Sequence, residues 1–203
     1  MQSLETVGRV RLVSVCIAIC AMAAVGHTRA YICTESYVRD VRNGHNRWRW
    51  LEYAGSSTLM ICAIAMLFGT SNSGTLALLA GLNVSMIWCG DRHEARSRKA
   101  GQGGRYVPFV AGVVFGVLSW TIVFYTVAQV SSVDVPVFVW AILFSYFVLF
   151  LGFPVVAVIG TPKVAGNGAP ENGAASENRY HVLSLVSKTL LVWLLVSGVN
   201  APS

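Results

Sequence analysis

The sequence predicts an all-α, polytopic bundle of transmembrane helices. Three observations carry this: where charge is missing, how long the apolar runs are, and how the arginines are distributed. Of 203 residues, 55% are hydrophobic and only 12% are charged, about half the charge of an ordinary soluble domain. The charge is missing from continuous runs, several of which reach the roughly 17–25 residues that carry a helix across about 30 Å of hydrocarbon. In lipid the backbone must satisfy its own hydrogen bonds, which leaves helices or a closed barrel. Barrel strands alternate in polarity. The runs at 110–125 and 137–159 do not alternate, so helices remain.

Six spans follow, near 12–30, 50–69, 74–90, 107–130, 136–160 and 180–199. They make one transmembrane domain over 1–203. The first is the weakest, because its uninterrupted apolar core, 12–26, is short. The segment 161–178 is rich in Gly, Ala, Asn and Pro and reads as a flexible solvated loop. Short turns at 70–74 and 131–135 join close helix pairs.

Basic residues orient the bundle. Arg29, Arg39, Arg42, Arg47, Arg49, Arg92, Arg96, Arg98, Lys99, Arg105, Lys163 and Arg179 fall on one side, and only Arg9 and Arg11 on the other. The positive-inside rule places the richer side in the cytoplasm and the C-terminus on the non-cytoplasmic side. A cleaved signal peptide over 1–30 is the competing reading of the first segment, but it would put the arginines of 29–49 outside. The net charge of +6 therefore reflects topology, not nucleic-acid binding. Cys16, Cys20, Cys33, Cys62 and Cys89 show no zinc-type spacing and read as small reduced core residues. No metal-site or catalytic-triad spacing and no phosphate-binding glycine loop is present, so an enzyme is not expected.

Lys188 is the residue that asks for a function. It sits inside the last apolar run, in VLSLVSKTLLVWLLV, where a lysine costs about 2.5–3.5 kcal/mol to insert. Glu52, at the start of the second span, is the carboxylate best placed to offset it. Both should lie in the cytoplasm-facing half of the membrane. Ser184 is one turn before Lys188 on the same face, available to the lysine, to its partner, or to its own backbone carbonyl. His27 closes the first segment, either at the interface or in a buried polar cluster. Trp88, Trp120, Trp140, Trp193, Phe144 and Phe147 either pack the bundle or wall a flat apolar ligand. A desolvated lysine is a good Schiff-base former, and such an imine needs a carboxylate counterion. The same parts suit a proton- or ion-coupled transporter or channel, or a scaffold with no pigment, so spacing alone leaves these open.

Several segments resemble heliorhodopsins, the inverted-topology branch of microbial rhodopsins. Arg49-Trp50-Leu51-Glu52-Tyr53 with Ser56-Ser57-Thr58-Leu59-Met60-Ile61 is similar to that family's third-helix motif. Asn83-Val84-Ser85-Met86-Ile87, with Glu94 beyond it, resembles the fourth helix. Pro108-Phe109 and Gly116-Val117-Leu118-Ser119-Trp120 resemble the fifth, and Val135-Pro136-Val137-Phe138-Val139 the start of the sixth. Val182-Leu183-Ser184-Leu185-Val186-Ser187-Lys188, with Trp193, resembles the seventh. The resemblance covers 46–199. It aligns the six spans with helices two to seven of the seven-helix rhodopsin fold and leaves the first helix without a counterpart. Ser119 stands where the family pattern has a proline, and Leu151 where it has an asparagine.

The resemblance implies a light-sensing membrane protein of sensory or regulatory role. All-trans retinal would form a Schiff base on Lys188, with Glu52 as counterion and Ser184 beside the linkage. Met86, Trp120, Phe147, Phe150 and Trp193 would line the polyene, and the protein would form a homodimer in the lipid bilayer. The alternatives carried forward are the Lys188–Glu52-coupled transporter or channel and a non-pigmented truncated membrane protein.

Overall fold

A computed structural model of the chain describes residues 2–97, 106–130, 135–160, 163–164, 170–171 and 173–199, with the side chains of the first helix described from Val13 onward. The order is α1 (Gln2–Ile32), α2 (Thr34–Arg42), α3 (Arg47–Leu67), α4 (Ser73–Ser97), α5 (Tyr106–Ala128), α6 (Val137–Ile159), a two-residue pair β1 (Lys163–Val164) with β2 (Pro170–Glu171), and α7 (Gly173–Val199). β1 and β2 are antiparallel. Six of these helices are long and apolar enough to cross a membrane, up to a mean hydropathy of 2.6 for α6.

Boundaries differ from expectation in three places. α1 starts at Gln2, ten residues before the apolar core that predicted it. A short amphipathic helix, α2, lies between the first two spans, where no helix was expected. The largest change is in the segment read as a loop to 178. From Gly173 it is already helix α7, and Ser176 and Glu177 are buried. Gly, Ala and Asn suggested a linker, but alanine is the best helix former, and Glu177 finds buried partners that hold the early turns. The residues 161–162, 165–169 and 172 of that loop, and 131–134 of the turn before α6, lie outside the described residues.

Two left-handed glycines set the local geometry. Gly69, at φ +87, ends α3 with its N–H on the Met66 carbonyl, and Thr70 reaches back to Ala65. Gly44, at φ +69, turns the chain after α2, so that His45 and Asn46 point into the bundle, both buried. Side chains other than glycine rarely adopt such angles.

The main apolar core joins Ile19 of α1, Ile61 and Ile64 of α3, Leu79 of α4, Trp120 and Val123 of α5, Ile142 and Leu143 of α6, and Leu191 and Leu195 of α7. α4 and α5 approach closely because Gly112 and Gly116 face Cys89 and Met86; a Cβ at Gly116 would lie 3.2 Å from the Met86 sulfur. Asn83 of α4 donates to the hydroxyls of Ser57 (2.7 Å) and Thr58 (2.9 Å) of α3. Those two hydroxyls in turn donate to backbone carbonyls one turn earlier in their own helix. A buried amide is thus tied to α3 at two points.

Candidate functional site: a lysine–glutamate pair at an aromatic cavity

Lys188 lies midway along α7, and Glu52 lies in the second turn of α3. They meet: Lys188 Nζ is 2.5 Å from Glu52 Oε1. Their side chains are 13% and 15% exposed. The early start of α7 explains the register, since its first two turns project beyond the beginning of the span that sequence located. α1 covers the pair from its side. Gly26 has no side chain, and a Cβ there would sit 3.2 Å from the Glu52 Cγ, so the small residue lets the helix close over the carboxylate.

Beside the pair is a cavity of about 380 Å³, inside the roughly 300–1,000 Å³ range of small-molecule sites. It runs between α3, α4, α5, α6 and α7. Lys188, Ser184 and Ser187 stand on one wall; Met86, Gly112, Gly116 and Trp120 on another; Phe147, Phe150 and Phe153 on a third. Trp120 packs edge-on against Phe147, with ring centres 4.8 Å apart, and against Phe150 at 5.5 Å. Apart from Lys188 and a few hydroxyls, the lining is apolar or aromatic.

Of the residues singled out from sequence, Lys188, Ser184, Met86, Trp120, Phe147 and Phe150 all line this cavity. Glu52 stands behind the lysine nitrogen. Trp193 does not join them: it is 62% exposed on the outer surface of α7. Five residues past Lys188 is about 140° around a helix, so the two side chains point apart. Trp88 and Phe144 are likewise exposed, and Trp140 stacks on Phe144 and packs against Phe68, away from the cavity. His27 is exposed, not buried in a polar cluster; its ring centre is 6.0 Å from that of His181.

Sequence reading passed over Tyr53. Its ring centre is 5.4 Å from Lys188 Nζ, and its hydroxyl donates to the Tyr180 carbonyl at 2.9 Å. Its position directly after Glu52 was the available signal. Tyr146, Phe153 and Tyr180 were also missed; Phe153 continues the spacing of three that links Phe147 and Phe150.

The arginine-rich end of the bundle holds a second constellation. Arg49 of α3 is buried, and its guanidinium donates to Glu94 of α4 at 2.6 and 2.7 Å and to Glu177 of α7. Trp50 donates to Glu94 (2.5 Å) and Asn46 to Glu177 (2.7 Å). The Tyr180 ring stacks under the guanidinium, with its centre 4.2 Å away. Nearby, His45 pairs with Asp91 at 2.7 Å. His181 faces Glu177 at 3.3 Å and the Tyr37 hydroxyl of α2 at 2.9 Å. Burial, and then the Glu177 carboxylate, hold the Tyr37 phenol above its ordinary pKa. Sequence reading missed Glu177 because it fell in a segment taken for a loop.

Among the described residues no group of His, Cys, Asp and Glu is arranged to hold a metal. A comparison with curated proteins finds no match. The family model described as Heliorhodopsin matches residues 1–199, nearly the whole chain. With its six apolar helices, the protein is a multi-pass integral membrane protein, and it belongs to the heliorhodopsin family.

Proposed function

We propose that the protein is a light-sensing retinal protein in which Lys188 carries all-trans retinal as a protonated Schiff base and Glu52 is its counterion. The observation that carries this reading is the 2.5 Å contact between Lys188 and Glu52 at the wall of an aromatic cavity. The residues suit the group: an amine for the linkage, a carboxylate behind it, and an apolar slot beyond. When bound, the chromophore supplies visible absorption and a light-driven isomerisation. The protein's own residues do the rest. Glu52 balances the cationic nitrogen, whose charge would otherwise be costly in this setting. Tyr53 and Ser184 orient groups beside the nitrogen. Gly112 and Gly116 leave space for a flat ligand, while Trp120, Phe147, Phe150 and Met86 wall it. Trp193 is outside the proposed set.

The role is sensory or regulatory, not ion pumping. Tyr53, Trp50 and Tyr180 line the cavity and also touch the Arg49 network, so a change in the cavity meets a second, tightly bonded element directly. A switch needs such a contact between the site and an element with two packings. The arginine-rich end faces the cytoplasm and the C-terminus faces outside, as the charge bias supports. The family resemblance supports a homodimer.

The test is the visible spectrum of protein expressed with all-trans retinal, beside Lys188→Ala. A visible band present in the parent and lost in the variant supports the linkage. No band in either, with both proteins folded, would falsify it. A protease-accessible tag at the C-terminus, cleaved from outside in intact cells, checks the orientation.

A further inference from the structure

The arginine-rich end is more basic on its surface than the sequence suggests. Three of its acidic residues are turned inward: Glu94 and Glu177 onto Arg49, and Asp91 onto His45 and Arg92. The arginines that remain face outward. Arg39, Arg42, Arg47, Arg96 and Arg179 are exposed, and Arg29 is half-buried. None of these six has an ion-pair partner among the described residues. The accompanying acids are few, Glu35 exposed and Asp40 half-buried on α2.

Four of these arginines lie on one stretch at the membrane edge. α1 ends its span at Ile32, α2 follows at once, and the span of α3 begins at Arg47. Arg29 stacks on the ring of Trp48, 3.5 Å from its centre, and Trp48 is itself 48% exposed. Tyr31 and Ile32, at 84% and 74% exposed, flank it. On α2, Arg39 and Arg42 share the outward face, while Tyr37 anchors the opposite face to His181 of α7. Cations next to exposed aromatic and apolar groups, at headgroup depth, complement a ligand that is anionic at one end and apolar at the other.

We propose that the strip formed by Arg29, Arg39, Arg42, Arg47 and Trp48 binds the headgroups of anionic lipids in the surrounding bilayer. With Asp91, Glu94 and Glu177 paired inward, the described exposed or half-buried residues of α2 and its neighbours set five arginines, Arg29, Arg39, Arg42, Arg47 and Arg179, against Glu35 and Asp40. Each arginine near an anionic surface contributes about a fivefold gain in affinity. This inference does not depend on retinal binding.

The test is native mass spectrometry of the purified full chain, incubated separately with dioleoyl phosphatidylglycerol and dioleoyl phosphatidylcholine at equal concentration. Retained phosphatidylglycerol should exceed phosphatidylcholine by at least about tenfold. The variant Arg29→Gln/Arg39→Gln/Arg42→Gln/Arg47→Gln should lose that preference, and Arg9→Gln/Arg11→Gln, at the other end of α1, should keep it. A helical melt by circular dichroism confirms that each variant is folded; if the fourfold variant is not, Arg42→Gln/Arg47→Gln should show a partial loss. Equal retention of the two lipids, or an equal loss in both arginine variants, overturns the proposal. Displacement of the lipid by equimolar inorganic phosphate would assign the strip to free phosphate and overturn it as well.

Discussion

Two buried ionic sites of this molecule, around Arg49 and around Lys188, are built on opposite principles. Arg49 is tied to two carboxylates on two other helices, and those carboxylates are further held by Trp50, Asn46 and His181. Lys188 has one ionic contact, to Glu52, and a cavity on its other side. A guanidinium stays charged under all ordinary conditions and presents a rigid fork. A lysine amine can lose its proton and act as a nucleophile. The doubly paired arginine therefore serves as a clamp across α3, α4 and α7. The lysine is held by a single carboxylate and borders the cavity, the arrangement that the proposed linkage requires. A buried ion pair by itself says little about function; the number of charged partners, and the cavity beside Lys188, separate the two cases.

The contrast is sharpest if Arg49 is replaced by Met. Two buried carboxylates lose their cation, and breaking buried pairs costs about 3–5 kcal/mol each time a charge is stranded. The expected loss is at or above about 5 kcal/mol in detergent, read by thermal or denaturant unfolding, and Arg49→Lys should recover only part of it. A loss under about 1 kcal/mol would mean that the network is ornamental.

Lys188→Ala strands one carboxylate, with some exposure to soften the cost, so about 3 kcal/mol is expected before any chromophore is added. The double variant Lys188→Met/Glu52→Leu should return to within about 1 kcal/mol of the parent, since an apolar pair of similar volume often replaces a buried ion pair without loss. If the double variant is as unstable as the single one, Lys188 and Glu52 are not an isolated pair. Glu52→Gln in retinal-loaded protein should move or bleach the visible band while Lys188 remains attached.

Gly116→Leu probes the cavity. The added side chain meets Met86 and Phe150, costing about 1–3 kcal/mol by overpacking, and should cut pigment yield more than it cuts folded protein. Pigment formed at the parent level would show that the ligand does not pass Gly116. The smallest effect belongs to Trp193→Ala. An exposed side chain on the outer face of α7 should change stability by less than about 0.5 kcal/mol and leave the visible band in place. A band shift in that variant would return Trp193 to the site.

Sequence alone located much of this. Long apolar runs announce helices because lipid leaves the backbone no other partner. Lys188 stood out because a charge in such a run is costly, and Glu52 because few acids occur near the start of a span. Local reasoning failed where the deciding contact was distant in sequence. Glu177 looked like part of a loop, yet it is buried against Arg49, 128 residues away. The extra turns of α7 exist in that context. α2 was missed because nine polar-rich residues are too few to form a marked helix without the surface they dock on.

The sequence by itself determined the class of the molecule, the number and approximate limits of its long apolar helices, and the identity of its odd lysine. Solvent exclusion acts on each segment separately, so these properties are readable segment by segment. Only the tertiary structure decided which aromatics wall the cavity, why Trp193 is not one of them, and which carboxylates serve Arg49. Those outcomes depend on helix rotation and on how far each helix extends, and both are set by packing between segments far apart in the chain.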